Sequence, residues 1–380
     1  MFSNWLLVSV SIGYISLLFL IAYLGGKYRH KLVEKQHAVI YALSLGVYCT
    51  SWGFLGTSAQ AANSSFTYIS VYLAPILLFV FAWPFIQRII KTCLKLKITS
   101  IADLLSSRFG KSTSLGVLAT LMAVTASTPY IALQLQSVTL SFSVFVEGSG
   151  PNWLAVNQNA TALWVAVGLA IFTVLFGTRN LDANERHHGI VTAIAVEAVV
   201  KLVALLAVGM FVVWGIAGGP AEPFALIEAS DIATWDQSGS RWFSMIFLSA
   251  AAFLCLPRMF QVLVVENPDE RHLHMASWAF PTYLMLMSLF VLPIAVVGLN
   301  TMQAGDNPDL FVLTLPLAAG QDGLAMLSFL GGFSSATSMV IVATIALATM
   351  VCNDLVMPLI LRSRWFKVRQ EEDLTGLLLA

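Results

Sequence analysis

The stretch "YALSLGVYCTSWGFLGTS", residues 41 to 58, decides how this chain is read. It is apolar enough for a membrane, yet it carries Gly46, Gly53 and Gly56 together with hydroxyls and the thiol of Cys49. Glycine costs a helix about 1 kcal/mol relative to alanine. In hydrocarbon, any backbone group freed by a loosened helix costs several more unless something satisfies it. A helix weakened at this place therefore calls for a compensating function.

The rest of the chain supplies the setting. Of 380 residues, 58% are hydrophobic and only 11% charged, against roughly 25% charged in soluble domains. This composition defines an all-α polytopic membrane protein. The first apolar run, Trp5 to Tyr23, is too long for a signal-peptide core and has no basic residue before it, so it reads as a retained span. Further apolar windows fall near 38–57, 66–90, 113–143, 161–177, 189–217, 242–265, 275–299 and 323–351, giving about nine transmembrane helices. With the amino terminus outside, every basic residue except Lys201 and Arg241 falls on the inner side, while the outer loops carry Glu147, Glu222, Glu228, Asp231, Asp236, Asp306, Asp309 and Asp322. The positive-inside rule selects that orientation. Arg258 either belongs to the inner set or lies in the inner half of the seventh window; the asymmetry holds without it. At the carboxyl end, "LTGLLLA" reads as the start of a tenth helix, so the chain is expected to be a fragment.

Three features within the spans bear on function. The second window, with its three glycines, and the seventh, "AAAFLCLPRMFQ" with Pro257, lie five spans apart and so cross in opposite directions. Paired interruptions in corresponding places are the sequence pointer to the site of an inverted-repeat transporter; glycine packing and a simple proline kink explain the same residues. Gly331, Ser334, Ser335 and Ser338 in "GGFSSATS" share one helical face. That face reads as cation-ligating hydroxyls opposite bared carbonyls, or as a small-residue packing stripe. Glu197 and Lys201, spaced i, i+4 in the sixth window, are expected to form an intramembrane ion pair, either functional or a self-neutralising brace. The histidines His187, His188, His272 and His274 fall at helix ends and read as interfacial, the four cysteines have no metal or disulfide spacing, and Asn159-Ala160-Thr161 matches a glycosylation sequon. Nothing suggests a nucleic-acid partner, and the catalytic set is none: there is no phosphate-binding loop, metalloprotease motif or nucleophile constellation.

With these segments, the chain resembles the sodium/solute symporter family. It is most similar to the variant that forms the membrane half of bacterial sensor histidine kinases. The resemblance is carried by the opening stretch and by "ITSIADLLSSRFG", "TPYIALQLQSVTLSF", "GTRNLDANERHHGIVTAIAVEAVVKL", "LPRMFQVLVVEN", "WAFPTYLMLMSLFVLPIAV" and "GGFSSATSMVIVATIALATMVCNDLVMP". It implies a LeuT-like inverted-repeat bundle over residues 1–380, incomplete at its end, with kinase modules beyond residue 380. It also implies a sodium ion held by backbone oxygens of Gly46, Cys49 and Gly331 and the hydroxyls of Ser334 and Ser335, the glycines letting the second helix unwind. Candidate solute contacts are Tyr48, Thr50, Trp52 and Tyr72. Two positions depart from the family. Glu197 stands where its transporters often carry an acid but has Lys201 beside it, and Tyr48 replaces an aspartate of the proline-transporting members. The expected function is solute binding, with sodium-coupled import of an amino acid or carboxylate, as the input half of a two-component sensor kinase in the bacterial inner membrane. The partners would then be the lipid bilayer, the solute and a response regulator. The alternative is a free-standing symporter, and a membrane enzyme is the poorest reading.

Overall fold

The computed structural model describes residues 4–28, 33–146, 163–164, 166–168, 170–171, 188–229, 239–267, 269–303 and 305–362. The sequon at 159–161 lies outside them, as does most of the window at 161–177. Among the described residues the chain is helical throughout. The helices are α1 (Asn4–Lys27), α2 (Glu34–Ser44), α3 (Thr57–Ser64), α4 (Ile69–Phe81), α5 (Trp83–Leu96), α6 (Ile101–Arg108), α7 (Thr113–Val146) and α8 (His188–Met210). They continue with α9 (Ala221–Ala229), α10 (Gly239–Cys255), α11 (Pro257–Phe260), α12 (His272–Ser288), α13 (Val291–Thr301), α14 (Phe311–Ala318), α15 (Asp322–Val351) and α16 (Met357–Arg362).

Among the described residues six helical runs are long and apolar enough to cross a membrane: Leu6–Lys27, Trp52–Phe81, Thr113–Phe145, His188–Ile216, His272–Thr301 and Asp322–Ile360. A seventh is the bent pair Ser240–Cys255 and Pro257–Val265, whose halves meet at 56°. The nine sequence windows map onto these runs with two differences. The window at 161–177 is largely undescribed, and the window at 38–57 is not one helix, because it breaks in its middle.

Lipid exposure and burial sort by helical face. In α1, Leu7, Tyr14, Leu18 and Ala22 are buried while Ile12 and Leu20 are exposed, so an apolar helix presents one stripe to the bundle and the rest outward. α15 is the central element. It packs against α7, α8 and α14, and its face from Gly331 to Ala343 is buried without interruption. Around it, α1 and α2 pack on α8, α12 packs on α2, and α10 packs on α4.

The chain also marks its element ends locally. Val33 N–H donates to Gln36 Oε1 (3.0 Å) at the start of α2, and Ser100 Oγ accepts from Asp103 N–H (3.0 Å) at the start of α6. Both reciprocate the orphan amides of a helix start. Outside the bundle, Arg271 reaches Glu34 (2.8 Å) and Asp269 (2.7 Å), exposed pairs that position the loop and contribute little stability.

Candidate functional site: two broken helices around one cavity

The first break lies where the opening stretch predicts. After α2 the backbone tightens into a 3₁₀ turn over Leu45–Tyr48, becomes extended at Cys49 (φ −78°, ψ 96°), and resumes as a wide turn over Trp52–Gly56. The second break follows Cys255, where Leu256 is extended (ψ 124°) and Pro257 restarts the helix. Pro257 lacks the N–H that an uninterrupted helix would use, which fixes the restart there. The two breaks meet: the Tyr48 ring packs edge-on against Phe253 at 5.6 Å between centroids, and both segments line the same cavity.

A break in a membrane helix stands only if its backbone groups find partners, and here side chains from neighbouring helices provide them. Tyr72 Oη and Thr57 Oγ1 donate to Gly53 O (2.7 and 3.2 Å), and Tyr48 Oη donates to Val71 O (2.7 Å). Gln134 Oε1 of α7 accepts both Ser51 N–H (3.0 Å) and Ser51 Oγ–H (2.6 Å), which caps the restarted helix. Thr50 Oγ1 and Tyr130 Oη share a hydrogen bond of 2.9 Å. At the second break Tyr41 Oη donates to Leu263 O (2.8 Å).

The glycines act differently from the role the resemblance implies. Neither Gly46, Gly53 nor Gly56 has a positive φ, so unwinding does not depend on their conformational freedom. Gly46 instead admits close neighbours: a Cβ there would stand 2.9 Å from Ala198 Cβ and 3.1 Å from Tyr283 Cζ. A Cβ on Gly331 would meet Phe54 Cζ at 2.6 Å and Ala204 Cβ at 2.7 Å. Both glycines are contact points between helices.

The four candidate solute contacts come together. Tyr48, Thr50, Trp52 and Tyr72 all line a cavity of about 710 Å³ at the two breaks, with Pro257 and Arg258 on its other side. The hydroxyls of Tyr48 and Tyr72 are engaged by carbonyls, so these residues offer the cavity their rings. Sequence reasoning passed over Arg258. It is 5% exposed, its guanidinium lies 4.9 Å from the centroid of the Tyr130 ring, and its Nε has no hydrogen-bond partner among the described residues. The Nε is itself buried, so what Arg258 brings to the cavity wall is a positive charge with no ion-pair partner among the described residues. The signal was a basic residue placed directly after the proline that breaks an apolar run.

Of the five candidate sodium ligands, Cys49 lines that cavity, while Gly46, Gly331, Ser334 and Ser335 lie away from its walls. Ser334 and Ser335 are fully buried on α15. Ser334 Oγ donates to Leu330 O (2.7 Å) and meets Tyr14 Oη at 2.5 Å, while Ser335 Oγ donates to Gly331 O (2.9 Å). Across from them the Lys201 ammonium donates to Gly46 O (2.7 Å) and Cys49 O (2.8 Å). Two of the three carbonyls the resemblance assigns to sodium, those of Gly46 and Cys49, therefore already hold a cation. With Lys201 in place, the donor set does not fit a sodium ion.

Lys201 and Glu197 are both buried in α8, as expected of a pair away from lipid, but their hydrogen bonds go to other partners. Lys201 reaches back to the first break, and Glu197 accepts a hydrogen bond from Thr337 Oγ1 on α15. The i, i+4 geometry puts them on one face, and each then bridges to a different helix.

An all-helical bundle with two interrupted helices at a shared cavity is the architecture of LeuT-like inverted-repeat transporters, and comparison bears this out. The fold superposes on a Na+-coupled sialic acid symporter in its substrate-bound outward-open state, with TM-score 0.69 and 16% identity, over 100% of this chain and 78% of that one. The chain is also 24% identical over 287 residues to an uncharacterized symporter of Bacillus subtilis, YhjB, across 74% of this chain and 55% of that protein. It thus spans about half the length of the curated relative it matches. No protein-family model matches the chain.

Proposed function

We propose that this is the solute-binding core of a membrane symporter, and that its solute carries a carboxylate received by Arg258. The observation that carries the reading is the guanidinium of Arg258, 5% exposed and without an ion-pair partner among the described residues, on the wall of a 710 Å³ cavity. Trp52, Tyr48 and Tyr72 supply the aromatic faces that would hold an apolar solute body, which favours an amino acid or a small organic acid. Similarity to proteins named as symporters supports transport. The charge asymmetry along the loops supports an orientation with the amino terminus outside. The kinase-input role and its response-regulator partner draw on the resemblance alone, and we adopt the free-standing symporter.

The test uses the full-length protein in detergent and thermal unfolding. Amino acids and small carboxylic acids are each compared with their own amides. At least one acid is expected to raise the Tm while its amide does not. Equal stabilisation by acid and amide would overturn the proposal.

A further inference from the structure

We infer that the ammonium of Lys201 is the resident cation of this bundle, occupying the position between the first helix break and α15 so that no sodium ion is taken up there. The inference goes beyond the solute reading and does not depend on it.

Geometry makes the first argument. Lys201 Nζ lies 2.7 Å from Gly46 O and 2.8 Å from Cys49 O, which are charge-assisted hydrogen-bond lengths. Both acceptors are backbone carbonyls of the 3₁₀ turn and of the extended Cys49 that follows it. A lysine ammonium serves them from a fixed tether and needs no ion from solution. Its stem is fully buried, so the charge is held in place by packing as well as by its acceptors.

Charge balance makes the second. Glu197, one turn earlier on α8, is 1% exposed and is held by Thr337 from α15. One buried cation and one buried anion leave this layer neutral. A sodium ion added beside the ammonium would place two positive charges a few ångströms apart, where repulsion is far stronger than in water. Arg258, which lines the cavity at the two breaks, is also positive and adds to that repulsion.

The hydroxyls of α15 make the third. Ser334 and Ser335 direct their protons to Leu330 O and Gly331 O within their own helix, and Ser334 also contacts Tyr14 of α1. The hydroxyls are thereby satisfied within α15, and α1 is joined to α15 through Tyr14 at the level where an ion would otherwise sit. What a dissociable ion would do by binding and leaving, tying the broken helix to its neighbours, the covalently attached ammonium does permanently.

The experiment needs no solute, so it stands or falls apart from the carboxylate proposal. Full-length protein is unfolded thermally in sodium chloride and in choline chloride at equal ionic strength. Wild type is expected to show the same Tm in both to within about 1 °C. Lys201→Ala opens the carbonyls, and its Tm is expected to rise by about 3 °C or more in sodium over choline. A sodium-dependent Tm in wild type would overturn the inference. So would a folded Lys201→Ala indifferent to sodium, since the carbonyls would then be no cation position. If Lys201→Ala resists purification in choline, recovery of folded protein in sodium alone supports the inference, and recovery in neither medium counts against it.

Discussion

Two cations are buried within one bundle, and they are treated in opposite ways. Lys201 gives hydrogen bonds to two backbone carbonyls and has a carboxylate one turn away on its own helix. Arg258, almost as buried, stacks on Tyr130 and leaves Nε without a partner at the wall of the cavity. Leaving a charged donor unpaired in the interior is costly, and a fold tolerates it where a ligand or solvent completes the site. The contrast separates the two sides of the first helix break: the side facing α8 is closed by the protein itself, and the side facing α11 opens on the cavity that we propose holds the solute.

The largest expected effect tests the closed side. Lys201→Met leaves Glu197 uncompensated and strips the donor from Gly46 O and Cys49 O, at a cost of about 3–5 kcal/mol in unfolding free energy. Adding Glu197→Gln should return at least about 1 kcal/mol. A double variant as unstable as the single one would show that the two charges do not balance each other.

Next in size is Gly331→Ala. Its Cβ would overlap the Phe54 ring and Ala204, and overpacking of this kind costs about 1–3 kcal/mol. Gly53→Ala is the control: the nearest atom to its Cβ, Tyr72 Oη, is at 3.6 Å, an ordinary contact, so its Tm should stay close to wild type. If the two alanines were equally harmful, glycine at these sites would serve the backbone and not the packing.

Smaller still is Thr337→Val, isosteric but without the hydroxyl that donates to Glu197. It should cost about 1.5 kcal/mol, measured by denaturant unfolding. No loss would mean that Glu197 is satisfied without α15.

Much of this architecture is legible in the sequence, because breaks in membrane helices leave a visible mark. The glycines of 46–56 and Pro257 located both interruptions. Tyr48, Thr50, Trp52 and Tyr72 then fell together on one cavity. What stayed hidden were contacts between distant segments. The i, i+4 spacing of Glu197 and Lys201 suggests a bond within one helix, whereas Lys201 reaches carbonyls more than 150 residues away. Spacing along a helix identifies a shared face and says nothing of what packs against it. Arg258 was obscured because a basic residue near a span end reads first as a loop charge, and only the bend after Cys255 turns it into the cavity. Gly46 and Gly331 were recognised as special positions, but their reason is the approach of Ala198, Tyr283, Phe54 and Ala204, which no local pattern encodes.

The central claim is the proposal that Arg258, on the cavity wall, receives the carboxylate of the solute. The direct measurement is the affinity of full-length protein for the acid that stabilises it most, in wild type and in Arg258→Gln, with the Tm of both proteins recorded without solute. The account predicts about a tenfold or greater loss of affinity with little change in solute-free Tm, and no further loss when the acid is replaced by its amide in the variant. An Arg258→Gln protein that binds the acid as tightly as wild type would contradict it.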